Sequence, residues 1–261
     1  MTDSTHPSTS DRSTGARRWL GLVALMVVVV GLAAVGFLAG LGPRSSDTVT
    51  QTYQEPIDRI VVEVNGTVSI AAGSTTEVNL EREWLLFRAP AAEVTLEDGV
   101  LMVISECGKF GFGCHSHVTA SVPADAAVDV TTSAGTVTVA GIDGGLDLVT
   151  SAGNVDVEDV TGPVSIRTSA GGITGDVTDG DVEATTSAGT IEMTVLGDFS
   201  SISAVTSAGS VRLTVPDDVF RVEANTSAGS VSTNVATDPD ADRVIVARSS
   251  AGNVTIDRID G

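Results

Sequence analysis

The sequence predicts an all-β protein: a β-solenoid of 18–20-residue Ser-Ala-Gly repeats, preceded by one transmembrane α-helix. Two observations predict this fold class. Ser-Ala-Gly occurs seven times, and a run of 23 residues without a charged side chain lies near the N-terminus. The composition agrees, because aromatic residues make up only 3% of the chain. Val, Thr, Ser and Gly dominate its second half, and these residues favour strands and tight turns.

The Ser-Ala-Gly tripeptides define seven repeats, numbered 1 to 7 in chain order. Successive repeats are 18, 18, 18, 20, 20 and 23 residues apart. The tripeptides end at Gly135, Gly153, Gly171, Gly189, Gly209, Gly229 and Gly252. Self-similarity at a fixed period is the sequence signature of a repeat architecture, in which each repeat packs on its neighbours.

Apolar and polar residues alternate on both sides of each tripeptide. In repeat 3, Val164, Ile166 and Thr168 precede it and Ile173 follows, with polar residues such as Arg167 between them. This period of two predicts two short strands that meet at a Ser-Ala-Gly corner. Stacking equivalent strands would bury the apolar rows in one continuous core. The recurrent glycine indicates either a positive φ or a close approach between neighbouring repeats.

The N-terminal apolar run spans Trp19–Leu41, long enough to cross a bilayer as a helix. Arg17 and Arg18 precede it, and the positive-inside rule then puts residues 1–18 in the cytoplasm and the remainder outside. We therefore predict a signal anchor and a single-pass protein of the cell membrane. The alternative is a cleaved signal peptide, because Ala34-Val35-Gly36 is an acceptable cleavage site.

The remainder of the chain divides into three predicted segments. Residues 42–56 are polar and contain two prolines, which indicates a linker. Residues 57–122 alternate less regularly and are predicted to form irregular capping rungs with a Cys hairpin. Residues 123–261 carry the regular repeats. A cap of this kind shields the open end of a stack of strands.

The charge of the chain restricts its partners. It carries 34 acidic against 14 basic residues, a net charge of −20, and Lys109 is the only lysine. Phosphate binding requires clustered Lys and Arg, so no nucleic-acid partner is expected. An acidic surface of this kind favours solubility.

Three features together resemble a known family: the Asn65–Ile70 segment, the Val122-Pro123-Ala124-Asp125 segment, and the run of strand–Gly–strand repeats. They are similar to the bacterial and archaeal "putative adhesin" β-strand-repeat family, a domain of unknown function. The resemblance covers about residues 57–261. It implies a solenoid at the cell surface and offers no catalytic residues.

The repeats show no pattern typical of an enzyme. A serine nucleophile requires a nearby base, and residues 123–261 contain no His, Lys or Cys. The carboxylates are scattered over different faces, whereas glycan cleavage needs a defined pair. The Gly-rich calcium-binding nonapeptide is also missing. The sequence therefore predicts a protein that is not an enzyme and has no cofactor, and a glycan-active enzyme is the less favoured alternative.

The only non-repeating motif is the segment from Cys107 to His117, which lies between two predicted strands and is read as a hairpin loop. Outside the cytoplasm, Cys107 and Cys114 are expected to form a disulfide. The alternative is a zinc site formed by both cysteines with His115 and His117. The spacing of six residues between the cysteines is unusual for such a site.

Aromatic residues concentrate near this loop, and Trp84, Phe110 and Phe112 are the predicted binding surface. The alternative is that these rings cap the core. The leading functional hypothesis is an adhesin-like interaction module that binds an unknown protein or glycan at the cell surface. The second is an accessory or sensor domain in envelope-stress regulation, which would need a membrane partner because its cytoplasmic tail has only 18 residues.

Overall fold

The computed structural model describes residues 44–85, 91–107 and 113–259. Ser45–Gly261 form one compact unit, and the described residues fold into 22 strands without a helix. The strands are β1 Arg44–Tyr53, β2 Arg59–Val64, β3 Gly66–Ala72, β4 Thr76–Leu85, β5 Ala91–Glu97, β6 Val100–Glu106, β7 His115–Val122, β8 Ala127–Ala134, β9 Val137–Ala140, β10 Leu146–Ala152, β11 Val155–Thr161, β12 Val164–Ala170, β13 Ile173–Asp179, β14 Val182–Ala188, β15 Ile191–Val195, β16 Ser201–Ala208, β17 Val211–Val215, β18 Val219–Ala228, β19 Val231–Thr233, β20 Ala236–Thr237, β21 Val244–Ala251 and β22 Val254–Arg258.

These strands form two sheets of 11 strands each. Sheet A has the order β1-β4-β7-β3-β9-β11-β13-β15-β17-β22-β19, and sheet B has the order β20-β18-β21-β16-β14-β12-β10-β8-β2-β6-β5. Each repeat places the strand before its Ser-Ala-Gly in sheet B and the strand after it in sheet A. We call such a pair of strands a rung. The all-β prediction and the two strands per repeat are therefore confirmed.

Neighbouring repeats pair in parallel at equivalent positions. Leu146 lies beside Val164, which in turn lies beside Val182. These inward side chains are at most 3% exposed, whereas Arg167 between them faces solvent. A rung cannot bury its apolar row alone, so burial of these rows by stacking is the main stabilising contribution to the fold.

Side-chain volume is balanced between the two sheets of a repeat. Repeat 3 has Ile166 in sheet B and Gly175 at the corresponding inward position of sheet A, whereas repeat 4 has Ala184 and Met193. All four are buried. The Met193 side chain extends over the neighbouring glycine, because a Cβ built on Gly175 would lie 3.0 Å from its Cε. The core is therefore close-packed although its individual positions vary in size.

The chain order of the stack is broken at its C-terminal end. Repeats 1 to 5 follow one another, but repeat 7 (β21 and β22) lies between repeat 5 and repeat 6. In sheet B, β16 pairs with β21 and β21 pairs with β18. In sheet A, β17 pairs with β22 and β22 pairs with β19. Repeat 6 therefore forms the last rung, and its Val231 is 45% exposed.

The N-terminal segments depart from two predictions. The predicted linker, residues 42–56, contains the ten-residue strand β1, which pairs at the edge of sheet A beside β4. The Cys107–Cys114 segment is not a hairpin loop, because β6 lies in sheet B and β7 in sheet A. It is a corner between the sheets. Antiparallel pairing is confined to this end, where β4 pairs with β7 and β5 with β6.

The predicted transmembrane helix, residues 19–41, and the predicted cytoplasmic tail lie outside the described residues. Within the part of the chain that the structure describes, no helix has the length and hydrophobicity to span a membrane.

Candidate functional site

The corner glycines form a column along the stack. In spatial order the column is Gly66, Gly135, Gly153, Gly171, Gly189, Gly209, Gly252 and Gly229. A Cβ on any of the seven repeat glycines would lie 1.9–2.5 Å from the carbonyl oxygen of the preceding glycine. Close approach between rungs therefore requires glycine, and positive φ angles accompany it, 149° at Gly171. Both explanations left open by the sequence hold.

A second row explains the threonine before each tripeptide. Thr186 is 2% exposed, and its hydroxyl donates to the carbonyl oxygen of Gly171 at 3.1 Å. Equivalent bonds run from Thr132 to Gly66 at 2.8 Å and from Thr206 to Gly189 at 3.1 Å. These hydroxyls satisfy corner carbonyls that the tight stacking removes from water.

We predict that Thr186→Val lowers the free energy of unfolding by about 1–2 kcal/mol, because a corner carbonyl loses its donor. Thr150 provides a matched control: it is 3% exposed, and its hydroxyl has no hydrogen-bond partner. Thr150→Val should change stability by less than about 0.5 kcal/mol or raise it slightly. Urea unfolding of both variants measures the difference. Equal losses in the two variants would contradict the assigned role of the hydroxyl.

Serine and alanine of the tripeptides are exposed in every repeat. They form an edge along the corner column, with one Ser-Ala pair per rung at a strand spacing of about 4.8 Å. The serines are Ser133, Ser151, Ser169, Ser187, Ser207, Ser227 and Ser250. They repeat one local environment, whereas a nucleophile is activated at a single assembled site.

Ion pairs along the outward face of sheet B join neighbouring rungs. Arg167 of repeat 3 contacts Asp147 of repeat 2 at 3.7 Å and Glu183 of repeat 4 at 2.9 Å. Arg248 contacts Glu223 in the same manner at 2.8 Å. Each partner is about half exposed, so these pairs contribute little stability. They do make a polar surface of alternating charge.

Cys107 and Cys114 form a disulfide that closes the corner between β6 and β7, with Cα atoms 5.9 Å apart. The bond occupies both sulfur atoms that the zinc alternative requires. Beside it, the buried hydroxyls of Ser105 and Ser116 lie 2.7 Å apart, and the Asn65 amide donates to the Cys107 sulfur at 3.6 Å. The disulfide therefore stands where the repeats have Ser-Ala-Gly.

The other predicted site residues separate into two groups. His115 and His117 are exposed on β7, and no cluster of three or more His, Cys, Asp or Glu within the described ranges is arranged to hold a metal ion. Trp84 is half-buried on β4. Phe110 and Phe112 lie outside the described residues, so the proposed aromatic surface stays a prediction.

Reduction of the disulfide should lower the free energy of unfolding by about 2–3 kcal/mol, because it releases a short closed loop in the unfolded chain. The measurement is denaturant unfolding with and without reductant. A Cys107→Ser/Cys114→Ser variant is the control, and its stability should not respond to reductant. A parent protein that is equally indifferent to reductant would contradict the role of this corner.

One cluster was missed by the sequence reasoning. Arg243 lies over the rings of Phe199 and Phe220, with its Cζ atom 4.3 and 5.2 Å from their centroids. Asp218 contacts the same guanidinium at 2.7 Å. Its pKa is held below the usual value by the N–H of Val219 and by this arginine. The two rings are the only aromatic residues of the repeats, which was the available signal.

A shallow cavity of about 460 Å³ lies beside this cluster, lined by Pro163, Gly180, Asp181, Asp198, Phe199, Ser200 and Arg243. Its polar groups are already used within the protein. The Asp181 carboxylate accepts from the N–H groups of Ser200 and Ser201 at 2.7 and 2.8 Å. Arg243 donates to the carbonyl oxygens of Phe199 and Gly197. The cluster thus holds turns and strands together.

No family model and no curated protein matches the chain. Among solved structures, it is similar to a "putative adhesin" from Bacteroides fragilis, with 16% identity, a TM-score of 0.49, and coverage of 82% of this chain and 98% of that one. A "putative adhesin" from Parabacteroides distasonis has 13% identity, a TM-score of 0.43, and coverage of 84% and 98%. A "putative lipid binding protein" from the same species has 10% identity, a TM-score of 0.39, and coverage of 84% and 98%. The predicted likeness to proteins named adhesins is confirmed, and at these values it carries no functional argument.

Proposed function

We propose that this protein is a membrane-anchored, extracytoplasmic β-solenoid that acts as a non-enzymatic, adhesin-like interaction module at the cell surface. The observation that carries the proposal is the repeated outer surface. Each rung presents the same exposed Ser-Ala edge, and ion pairs such as Arg167 with Glu183 link one rung to the next. Eleven strands at about 4.8 Å give a surface about 48 Å long. Such a surface suits an extended ligand bound by many weak, equivalent contacts.

The anchor in this proposal rests on the sequence. The Trp19–Leu41 run is long enough for one span, and the arginines before it orient the repeats outward. N-terminal sequencing of protein isolated from the membranes of its own host tests this point. An intact N-terminus supports the anchor. A mature chain that begins near residue 37 would mean that the protein is secreted.

Photo-crosslinking on intact cells tests the function. A photoreactive residue replaces Thr131 on the outward face of sheet B, and a second variant carries it at the buried position Val130 as a matched negative control. Capture of a surface polymer or surface protein from a second cell, from Thr131 alone, supports the proposal. Capture restricted to regulatory proteins of the same membrane would favour an envelope sensor. Release of shortened glycans during incubation would favour an enzyme.

A further inference from the structure

Repeat 7 lies in a slot between repeats 5 and 6 whose two walls have the same register. Arg248 lies beside Val205 on one side and beside Asn225 on the other. In the glycine column, Gly252 likewise packs between Gly209 and Gly229. Because all repeats share this register, the pairing rules also allow repeat 6 to stack on repeat 5, with repeat 7 last. Backbone pairing therefore does not decide between the two orders.

A side chain that contacts both walls does decide between them. Arg243 directly precedes β21 of repeat 7, and its guanidinium covers the ring of Phe199 before β16 and the ring of Phe220 in β18. It also donates to the carbonyl oxygen of Phe199 at 3.2 Å and to that of Gly197 at 3.0 Å. Its third group of contacts is the Asp218 carboxylate before β18.

We propose that the slot is a specific binding site for the C-terminal strand pair, residues 243–258, and that Arg243 selects it. With repeat 7 at the end of the stack, Arg243 would lie two rungs from Phe199 and could not contact both rings. A cation stacked on aromatic rings and bonded to buried carbonyls is a substantial contact. The Phe199 and Phe220 rings are stacked at 5.5 Å, and Phe220 is fully buried, so both are fixed in place.

The connection between repeats 6 and 7 allows this return of the chain. The segment Asn234–Asp242 has nine residues and is mostly exposed. Within it, β20 pairs with the first two residues of β18, and the Asp238 N–H donates to the Phe220 carbonyl oxygen. The segment thus runs along the outer side of repeat 6 before repeat 7 enters the slot. The wider spacing of 23 residues before Gly252 has its cause here.

Engineered cysteine pairs in the full-length protein report the order of the rungs. Ser203 and Val246 are neighbours in the inserted order, and strand spacing puts their Cα atoms about 4.8 Å apart, within disulfide range. Ser203 and Glu223 are separated by β21, at about 9.6 Å, beyond that range. Mild oxidation should therefore join 203 to 246 and leave the 203/223 pair reduced. Trypsin separates the three positions, because Arg212, Arg221 and Arg243 lie between them.

Arg243→Gln should raise the fraction of 203/223 crosslink by at least about tenfold and lower that of 203/246, because the contact with both walls is lost. Arg248→Gln is the matched control. It lies on the same strand, is 55% exposed, and contacts only Glu223 among the printed ion pairs, so the order should not change. Phe220→Leu, which retains apolar volume, should reproduce the Arg243→Gln result if that variant folds poorly.

Three outcomes would overturn the proposal. A 203/223 crosslink in the parent background would mean that repeat 7 does not occupy the slot. A folded Arg243→Gln or Phe220→Leu protein with the parent pattern would mean that the cluster does not select the slot. A 203/246 crosslink found between two chains instead of within one would mean that a second copy supplies the strand pair.

Discussion

Gly171→Ala should lower the free energy of unfolding by about 3 kcal/mol or more, the largest effect that we expect from a single methyl group in this protein. The new Cβ would lie 2.0 Å from the carbonyl oxygen of Gly153 and 2.5 Å from its carbonyl carbon. Both atoms belong to the backbone of the adjacent rung, so the clash cannot be relieved by a side-chain rotation. The rungs must separate, which breaks parallel pairing in both sheets.

The next residue is the control for this prediction. The nearest atom to a Cβ on Gly172 is the carbonyl oxygen of Thr190 at 3.5 Å, an ordinary contact. Gly172→Ala should therefore change stability by less than about 0.5 kcal/mol. Urea unfolding of the two variants, monitored by circular dichroism, compares neighbouring glycines of one corner. Similar losses at Gly171 and Gly172 would contradict the glycine column.

Met193→Ala should cost about 3–5 kcal/mol, because it leaves a cavity that the surrounding core cannot fill. Met193 is 1% exposed, and its neighbours at this level are small: Gly175 in the adjacent rung of sheet A and Ala184 in its own repeat. No flexible side chain is available to move into the space. The loss should therefore lie toward the upper end for a methionine truncation.

Met102→Ala is the control for the cavity. Met102 lies on β6, is 37% exposed, and faces outward, so truncation should cost less than about 1 kcal/mol. Thermal or urea unfolding measures both variants. A Met193→Ala protein as stable as Met102→Ala would contradict the packing of repeat 4.

The regular part of the fold was predictable because each repeat states the same pattern. Alternation around the tripeptide identified the inward rows, and Val164, Ile166 and Thr168 are all buried as that pattern requires. The corner glycine was also recognised. Its dominant cause, the 1.9–2.5 Å approach to the next carbonyl, depends on how tightly the rungs stack, which the alternation of residues along one strand does not encode.

The order of the last two rungs was not predictable for a related reason. Identical registers make every repeat an acceptable neighbour for every other, so periodicity contains no information about which rungs adjoin. The deciding contacts of Arg243 with Phe199 and Phe220 join residues 44 and 23 positions apart by difference of their numbers. The disulfide corner was misread as a hairpin loop because two alternating strands around a short segment have the same pattern in either arrangement.

The measurement that tests the stacked arrangement most directly is the distance between spin labels on equivalent positions of different rungs. Thr131 and Val205 lie on β8 and β16, four strand spacings or about 19 Å apart along the stack. From Thr131, Arg248 lies five spacings away, about 24 Å, and Asn225 six, about 29 Å. We expect these three distances to increase in that order. A label at Asn225 that lies closer to Thr131 than a label at Arg248 would contradict the inserted rung. A Thr131–Val205 distance that departs by more than one strand spacing would contradict the stack itself.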